Sequence, residues 1–487
     1  MKPVIARAIA CGTLLVLPAC GIPALRPPQP GPTLPPTFNG AASPESSARL
    51  RIEEFFSDPM LTQLIYQSLA NNQELKILTQ EVQIANNEIL ARQGAYLPLI
   101  TLGAGAGMEK SSKFTRNGAV EEQLEILPGK TFPDPLPDFL VAANISWQVD
   151  IWRKLRNARD AAILRYFATA EGRNYVVTRL VAEIAENYYG LMALDNRLVM
   201  LDRTIALQEQ SLELAKAKKA AARGTELAVQ RFQAEVRKNQ SEKLIVRQEI
   251  IEVENRINFL VGRYPQPVAR QSAAFLDLNM HALSLGVPAQ LLLNRPDIRQ
   301  AERELEAAGL DVKVVRADFF PALDITGGIG YQAFNPNYWF RPEALVANAA
   351  AGLVAPLVNK KAIRAAYMSA NAKQLQSLYN YQRVILNAFT EVINRVSMVE
   401  NFSNSLDLKK QQLQSLEASV QSASLLFQNA RVEYIEVLFA QRDLLDARMV
   451  LIDTKRKQLS AVVNAFQALG GGNVLAPATP GPLLSRR

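Results

Sequence analysis

Apolar and polar residues strictly alternate over short stretches of this chain, and apolar residues recur every three or four positions over very long ones. Leu323, Ile325, Ile329, Tyr331 and Ala333 share one parity, against Asp324, Thr326 and Gln332. Ile100, Leu102, Ala104, Ala106 and Met108 do the same against Thr101, Gly103, Gly105, Gly107 and Glu109. Period-two alternation marks a strand with one apolar and one polar face. A second alternating strand follows each: Phe139 to Val149 with Asn144, Ser146 and Gln148 on the other parity, and Leu345 to Leu353, more weakly. The pattern predicts strands over 99-109, 139-151, 322-334 and 345-355. The helical period runs through Val177, Val181, Ile184, Tyr188 and Leu191, and through Leu378, Tyr381, Ile385, Ala388, Val392, Val396 and Val399. These spacings are coiled-coil seams. Long helices are expected over 153-222, 225-261, 360-430 and 434-468; the first, at ~1.5 Å per residue, makes a rod of about 100 Å.

The two sets of elements are copies of each other. At an offset of 223 residues Asp297 falls on Glu74, Arg299 on Lys76, Glu304 on Glu81, Pro321 on Pro98 and Gly328 on Gly105. The second strands align at an offset of 206, so the first hairpin loop, roughly Lys110 to Asp138, carries about 17 extra residues and reads as an exposed loop. The chain is thus a tandem duplication: first repeat 55-262, second repeat 294-469, with an irregular connector over 263-293.

The ends read differently. Lys2 and Arg7 precede the apolar run Ala8 to Leu17, followed by Leu17-Pro18-Ala19-Cys20. This is a signal peptide over 1-19 with a lipobox, making Cys20 a lipidation site and the covalent lipid the one attached group expected. An ordinary signal peptide is the alternative. Residues 20-54 read as a Pro-rich lipid-anchored tether, and 470-487 as a disordered tail. Asp58 is placed to cap a helix starting at Pro59.

Composition adds exclusions. Cys11 leaves with the leader, so the mature chain has no disulfide. The net charge of +8 is modest and spread along the rods, giving little reason to expect nucleic-acid binding. The one histidine, His281, has no ligand set at metal spacing, the nine methionines are scattered, and no nucleophile motif or Walker loop is present. The reading is not an enzyme, without cofactor or metal. No uncharged run outside the leader reaches the ~18 residues of a spanning helix. Strands of this length suit an outer membrane, but four cannot close a barrel and an open edge cannot face lipid. Copies must pool their strands, unless the sheet is a small soluble one.

Several runs resemble the outer-membrane channels of tripartite efflux pumps, the TolC and OprM type. They are Leu292 to Glu302 with its Arg295-Pro296-Asp297-Ile298-Arg299 core, Ala317-Asp318-Phe319-Phe320-Pro321, Trp147 to Trp152, Leu260-Val261-Gly262-Arg263, and Ala468 to Gly472. The resemblance implies a mixed α/β membrane protein of mostly long α-helical coiled coils. It implies a homotrimer forming a 12-stranded β-barrel, four strands per chain, on a periplasmic α-helical barrel. Such a lipoprotein of the outer membrane passively exports drugs or other toxic compounds once docked to a periplasmic adaptor and an inner-membrane transporter of the RND type. Related channels exporting heavy-metal ions or secreted protein, and a pore-free coiled-coil scaffold, are the alternatives. In the family the tunnel closes at the helix tips, where the second coiled coil carries Asp-Ala-Gln-Arg after an aromatic. Here those positions read Phe439-Ala440-Gln441-Arg442 and Phe427: the arginine is kept and the acid is missing. Gate candidates are therefore Phe427, Glu433, Glu436, Phe439, Arg442 and Asp443. Adaptor-contacting tip candidates are Gly224, Thr225, Glu226, Ala430 and Arg431.

Overall fold

In the computed structural model, residues 22–38, 45–280, 283–356, 360–429 and 431–472 are described. The signal peptide, Cys20, His281, Ala430 and the tail beyond residue 472 lie outside them.

Four strands form one antiparallel sheet in chain order: β1 (Leu99–Glu109), β2 (Leu136–Val149), β3 (Ala322–Ala333) and β4 (Leu345–Val354). The alternation in sequence becomes rows across the sheet. Leu102, Ala143, Ile329 and Ala347 stand in one row; Thr101, Asn144, Gly328 and Asn348 stand in the next. Gly330, on the same strand, is the glycine the sheet needs, because a Cβ there would run into the Val141 carbonyl oxygen and the Ala142 Cα of the neighbouring strand. The outer edges of β1 and β4 have no partner strand among the described residues. Every residue of β1 is exposed, with Leu102 at 79%.

Two expectations about this sheet change. The second strand starts at Leu136 and stops at Val149 rather than spanning 139-151. Asp150 leaves the ladder because its carboxylate accepts from the Leu155 and Arg156 amides at 3.0 and 2.9 Å, capping the next helix. The insertion between β1 and β2 is also not a plain loop. It holds a helix, Arg116–Gln123, capped by the Thr115 side chain, and a two-stranded ribbon of Glu125–Leu127 with Lys130–Thr131.

Seven long helices carry the rest: α1 (Pro59–Asn71), α2 (Gln73–Ala95), α3 (Lys154–Ala220), α4 (Glu226–Val261), α5 (Pro296–Ala317), α6 (Lys361–Gln428) and α7 (Tyr434–Ala468). Asp58 caps α1 through the Met60 and Leu61 amides. No described helix is long and apolar enough to cross a membrane.

The chain divides into two compact units. One contains the sheet, within residues 84–166 and 303–378, together with 22–29; its helical core is Val312, Phe319, Tyr367 and Ala370. The other holds the remaining described residues around a larger core, in which Phe55, Ile184, Tyr188 and Phe466 are buried.

Within the segment 20-54, parts of the described residues 22–38 and 45–54 are packed. Ile22 and Leu25 pack on the first unit's core, and the Arg26 amide donates to the Asn371 Oδ1 at 3.1 Å. In the second unit Phe38 stacks on Phe389 at 5.6 Å, and Ile52 is buried. Isolated apolar anchors on an extended Pro-rich chain leave no period to read, yet each takes apolar surface out of water.

The duplication is visible as a joint built twice. Glu226 and Tyr434, which open the two return helices, lie 208 residues apart, as do Gly262 and Gly470 just past their ends. Gly262 has φ +77° and Gly470 φ +94°; a Cβ would come within 2.5 Å of the Asn71 carbonyl oxygen and 2.7 Å of the Asn294 one. The residue after each asparagine pins the return helix. Asn72 Nδ2 donates to the Leu260 carbonyl at 2.8 Å, and Arg295 Nη1 to the Ala468 carbonyl at 2.8 Å.

Candidate functional site

The tips of the two helical hairpins gather most of the candidate residues. The first is closed by backbone chemistry. Ala222 takes φ +57°, its amide donates to the Lys219 carbonyl at 2.9 Å, and the Arg223 amide donates to the Lys218 carbonyl at 2.8 Å. This is a Schellman closure with alanine where glycine is usual. Gly224 fits tightly: a Cβ would lie 3.1 Å from the Lys219 nitrogen. The Thr225 side chain accepts from the Ala228 amide and starts α4. Glu226 accepts from Gln230 at 2.7 Å and pairs with Lys219. The Lys219 bond, then Gln230, holds its carboxyl below the ordinary carboxylate range. The acid at this tip is therefore engaged within its own hairpin rather than with Arg442.

The second tip is closed by the Arg431 amide, which donates to the Leu426 carbonyl at 2.9 Å. Glu433 sits at the start of α7 without making a side-chain cap. One face of α7 packs inward. Leu438 joins Leu212, Ala215 and Phe232 in a small core, Phe232 meets Tyr434 edge-on at 6.3 Å, and buried Gln441 donates to the Ser211 hydroxyl at 3.0 Å. The opposite face presents Glu436, Phe439, Arg442 and Asp443, all exposed, at spacings of three and four. None of the three charged ones, nor Glu433, makes an ion pair among the described residues. Arg448, further along α7, does make one, with Glu417 at 2.8 Å.

Phe427 stands apart from that face. It is buried, and Lys218 lies over its ring at 3.6 Å from the centroid while donating to its carbonyl at 2.6 Å. The aromatic joins the two hairpins of one chain and is not presented outward with Phe439. Sequence reasoning passed over Lys218 and the burial of Gln441. The available signal was a lysine in the last turn of α3, where it offsets free carbonyls.

Among the described residues there is no group of three His, Cys, Asp or Glu side chains placed to hold a metal ion. What the second tip presents is one exposed face carrying an aromatic and three charged residues, Glu436, Phe439, Arg442 and Asp443.

Comparison with known proteins gives the family and the fold. The chain matches the outer membrane efflux protein family over residues 64–263 and 287–471. It is 26% identical over 418 residues to the cation efflux system protein CusC of Escherichia coli, covering 86% of this chain and 88% of that one. It is 26% identical over 428 residues to the toluene efflux pump outer membrane protein TtgF of Pseudomonas putida, covering 87% and 86%. The solved open state of the MtrE outer membrane channel of Neisseria gonorrhoeae shares the fold, with a TM-score of 0.80 at 21% identity over 93% of this chain and 98% of that one. Matched across both repeats, the chain belongs to the outer membrane efflux protein family, and it is an outer-membrane efflux channel reaching into the periplasm, not an enzyme.

Proposed function

We propose that three copies close a twelve-stranded barrel and form the exit duct of a tripartite pump, taking cargo from a periplasmic adaptor and an RND-type inner-membrane transporter. One observation carries this reading. A four-stranded sheet whose two outer edges have no partner strand among the described residues, with every residue of β1 exposed, is incomplete as a single chain. Family membership supplies the number three, and a lipid on Cys20 would add an anchor to the barrel's own. The exposed α7 face of Glu436, Phe439, Arg442 and Asp443, with Glu433, is the gate under this reading. The first tip and Arg431 meet the adaptor.

The cargo is a small toxic compound or drug. Heavy-metal ions are the second reading, favoured by the similarity to a protein named for cation efflux. Susceptibility of cells lacking the chain decides between them: sensitivity to organic toxicants alone supports the first, and to heavy-metal cations alone the second. Unchanged susceptibility to both classes contradicts an efflux role. Mass spectrometry of the mature N-terminus tests the anchor; an unmodified start elsewhere than Cys20 removes it.

A further inference from the structure

Val149 ends β2 and Ala322 opens β3, and the turns that join these strands to α3 and α5 frame a cavity of about 490 Å³. The helices reach into the periplasm, so this is the periplasmic end of the sheet. Trp152 and Phe320 line the cavity as a stacked pair, with ring centroids 4.7 Å apart. The Trp152 indole donates to the Pro321 carbonyl at 2.7 Å and so ties the two turns together. Trp152 still leaves 46% of its surface exposed. An aromatic ring at the end of a membrane strand suits the headgroup layer, where one edge is wet and the other dry.

The remaining walls are cationic. Arg153, Lys313 and Arg316 line the cavity, and all three are exposed. Lys313 and Arg316 make no ion pair or side-chain hydrogen bond among the described residues. The one acid in the lining, Asp160, is held by two nitrogens of Arg159 at 2.6 and 2.9 Å, and Arg153 reaches it only at 3.9 Å. Nearby Lys154 is paired with Asp318 at 2.5 Å. Positive charge is therefore gathered here without a matching acid, and such a cluster draws an anion. Guanidinium groups suit phosphate oxygens in particular. A second cavity of about 140 Å³ shares Trp152, Ala317 and Phe320 with the first and reaches Val149 and Val354, where β2 and β4 end.

We propose that this site seats the headgroup of an anionic phospholipid from the periplasmic leaflet of the outer membrane. Arg153, Lys313 and Arg316 take the phosphate, and the Trp152–Phe320 pair packs against the glycerol region. The smaller cavity leads from there to the strand ends, where the acyl chains enter the bilayer. A lipid fits better than a free anion, because charge, aromatic pair and strand ends follow one another in the order of an amphiphile. Basic pockets at the membrane surface recognise such headgroups. The proposal rests on the sheet lying in the membrane, as the barrel above requires.

The test is lipid retention by the full-length protein, read from its native mass with phosphatidylglycerol or phosphatidylcholine added at equal concentration. Both lipids carry the phosphodiester, but only the first has a net negative charge. The parent should retain phosphatidylglycerol preferentially; equal retention of the two overturns the proposal without any variant. Lys313→Gln combined with Arg316→Gln should lower retained phosphatidylglycerol roughly tenfold and leave phosphatidylcholine unchanged. Retention equal to the parent's overturns the site. Arg116→Gln with Lys130→Gln removes the same charge at the far end of the sheet and should retain lipid like the parent; a parallel fall there shows a response to net charge and also overturns the site. Excess inorganic phosphate should not displace the lipid; displacement would mean that the cavity takes free anions and would overturn the lipid assignment. A parent that gives no conductance steps in a planar bilayer fails the channel reading, whereas one that conducts without preferring phosphatidylglycerol fails this proposal alone.

Discussion

The Arg295 guanidinium donates to the Ala468 carbonyl at 2.8 Å while pairing with Asp297 at 2.7 Å and Glu391 at 2.9 Å. Burial pulls against its charge, but the bond and charge of Asp297, then Glu391, raise its pKa above the ordinary arginine value. Removing one member of a buried ionic network leaves the others uncompensated. Arg295→Ala should therefore cost about 3–5 kcal/mol of stability, read as a lowered unfolding midpoint of the solubilised protein.

The glycines of the twin joint should be less replaceable than an ordinary helix glycine. Gly470→Ala forces a left-handed residue at roughly 1–2 kcal/mol and places a methyl against the Asn294 carbonyl. Gly262→Ala should cost a similar amount against Asn71. Gly190 lies inside α3 with open space within 4 Å of where a methyl would sit, so it should instead gain up to about 1 kcal/mol as alanine. Thermal unfolding of the three variants should separate them in sign.

These joints show how much of the fold is written in the residues themselves. The offset that lays Asp297 on Glu74 and Pro321 on Pro98 made the duplication plain, and strand parity placed Leu102, Ala143 and Ile329 on one face. Such patterns are legible because period and copy number are written in residue spacing. The docking of Ile22, Leu25 and Phe38 was not, because single anchors on irregular chain have no period. Nor was Phe427, whose neighbour Lys218 is 209 residues away and is brought to it only by the packing of two hairpins. At the tip, likeness to family positions put Phe427 among the gate residues; packing separated it from Phe439.

Lys455 offers a pH signature. It is buried, donating to the Leu278 carbonyl at 2.5 Å and to Gln458 at 3.1 Å. Burial, then repulsion from Lys410, lowers its pKa from 10.5, against a smaller pull from Asp277. The folded state thus gives up this proton before the unfolded state does, so the group's contribution to stability rises with pH between the lowered value and 10.5. The stability of the parent relative to Lys455→Met should climb across that window; a flat difference would show that the charge is not disfavoured.

At the tips, Arg442→Ala and Phe439→Ala should each raise single-channel conductance and sensitise cells to large antibiotics such as vancomycin. Lys218→Ala should act differently, loosening the link to Phe427 between hairpins of one chain. If Arg442→Ala and Phe439→Ala both conduct like the parent, the constriction lies away from this face of α7.

The central claim is that copies of this chain together make a conducting pore. It is tested most directly by planar-bilayer recording of detergent-purified protein whose native mass has been determined in the same preparation. Particles of three chains that insert and give discrete conductance steps are the predicted result. A three-chain particle that inserts without conducting, or a single chain that conducts, would contradict it.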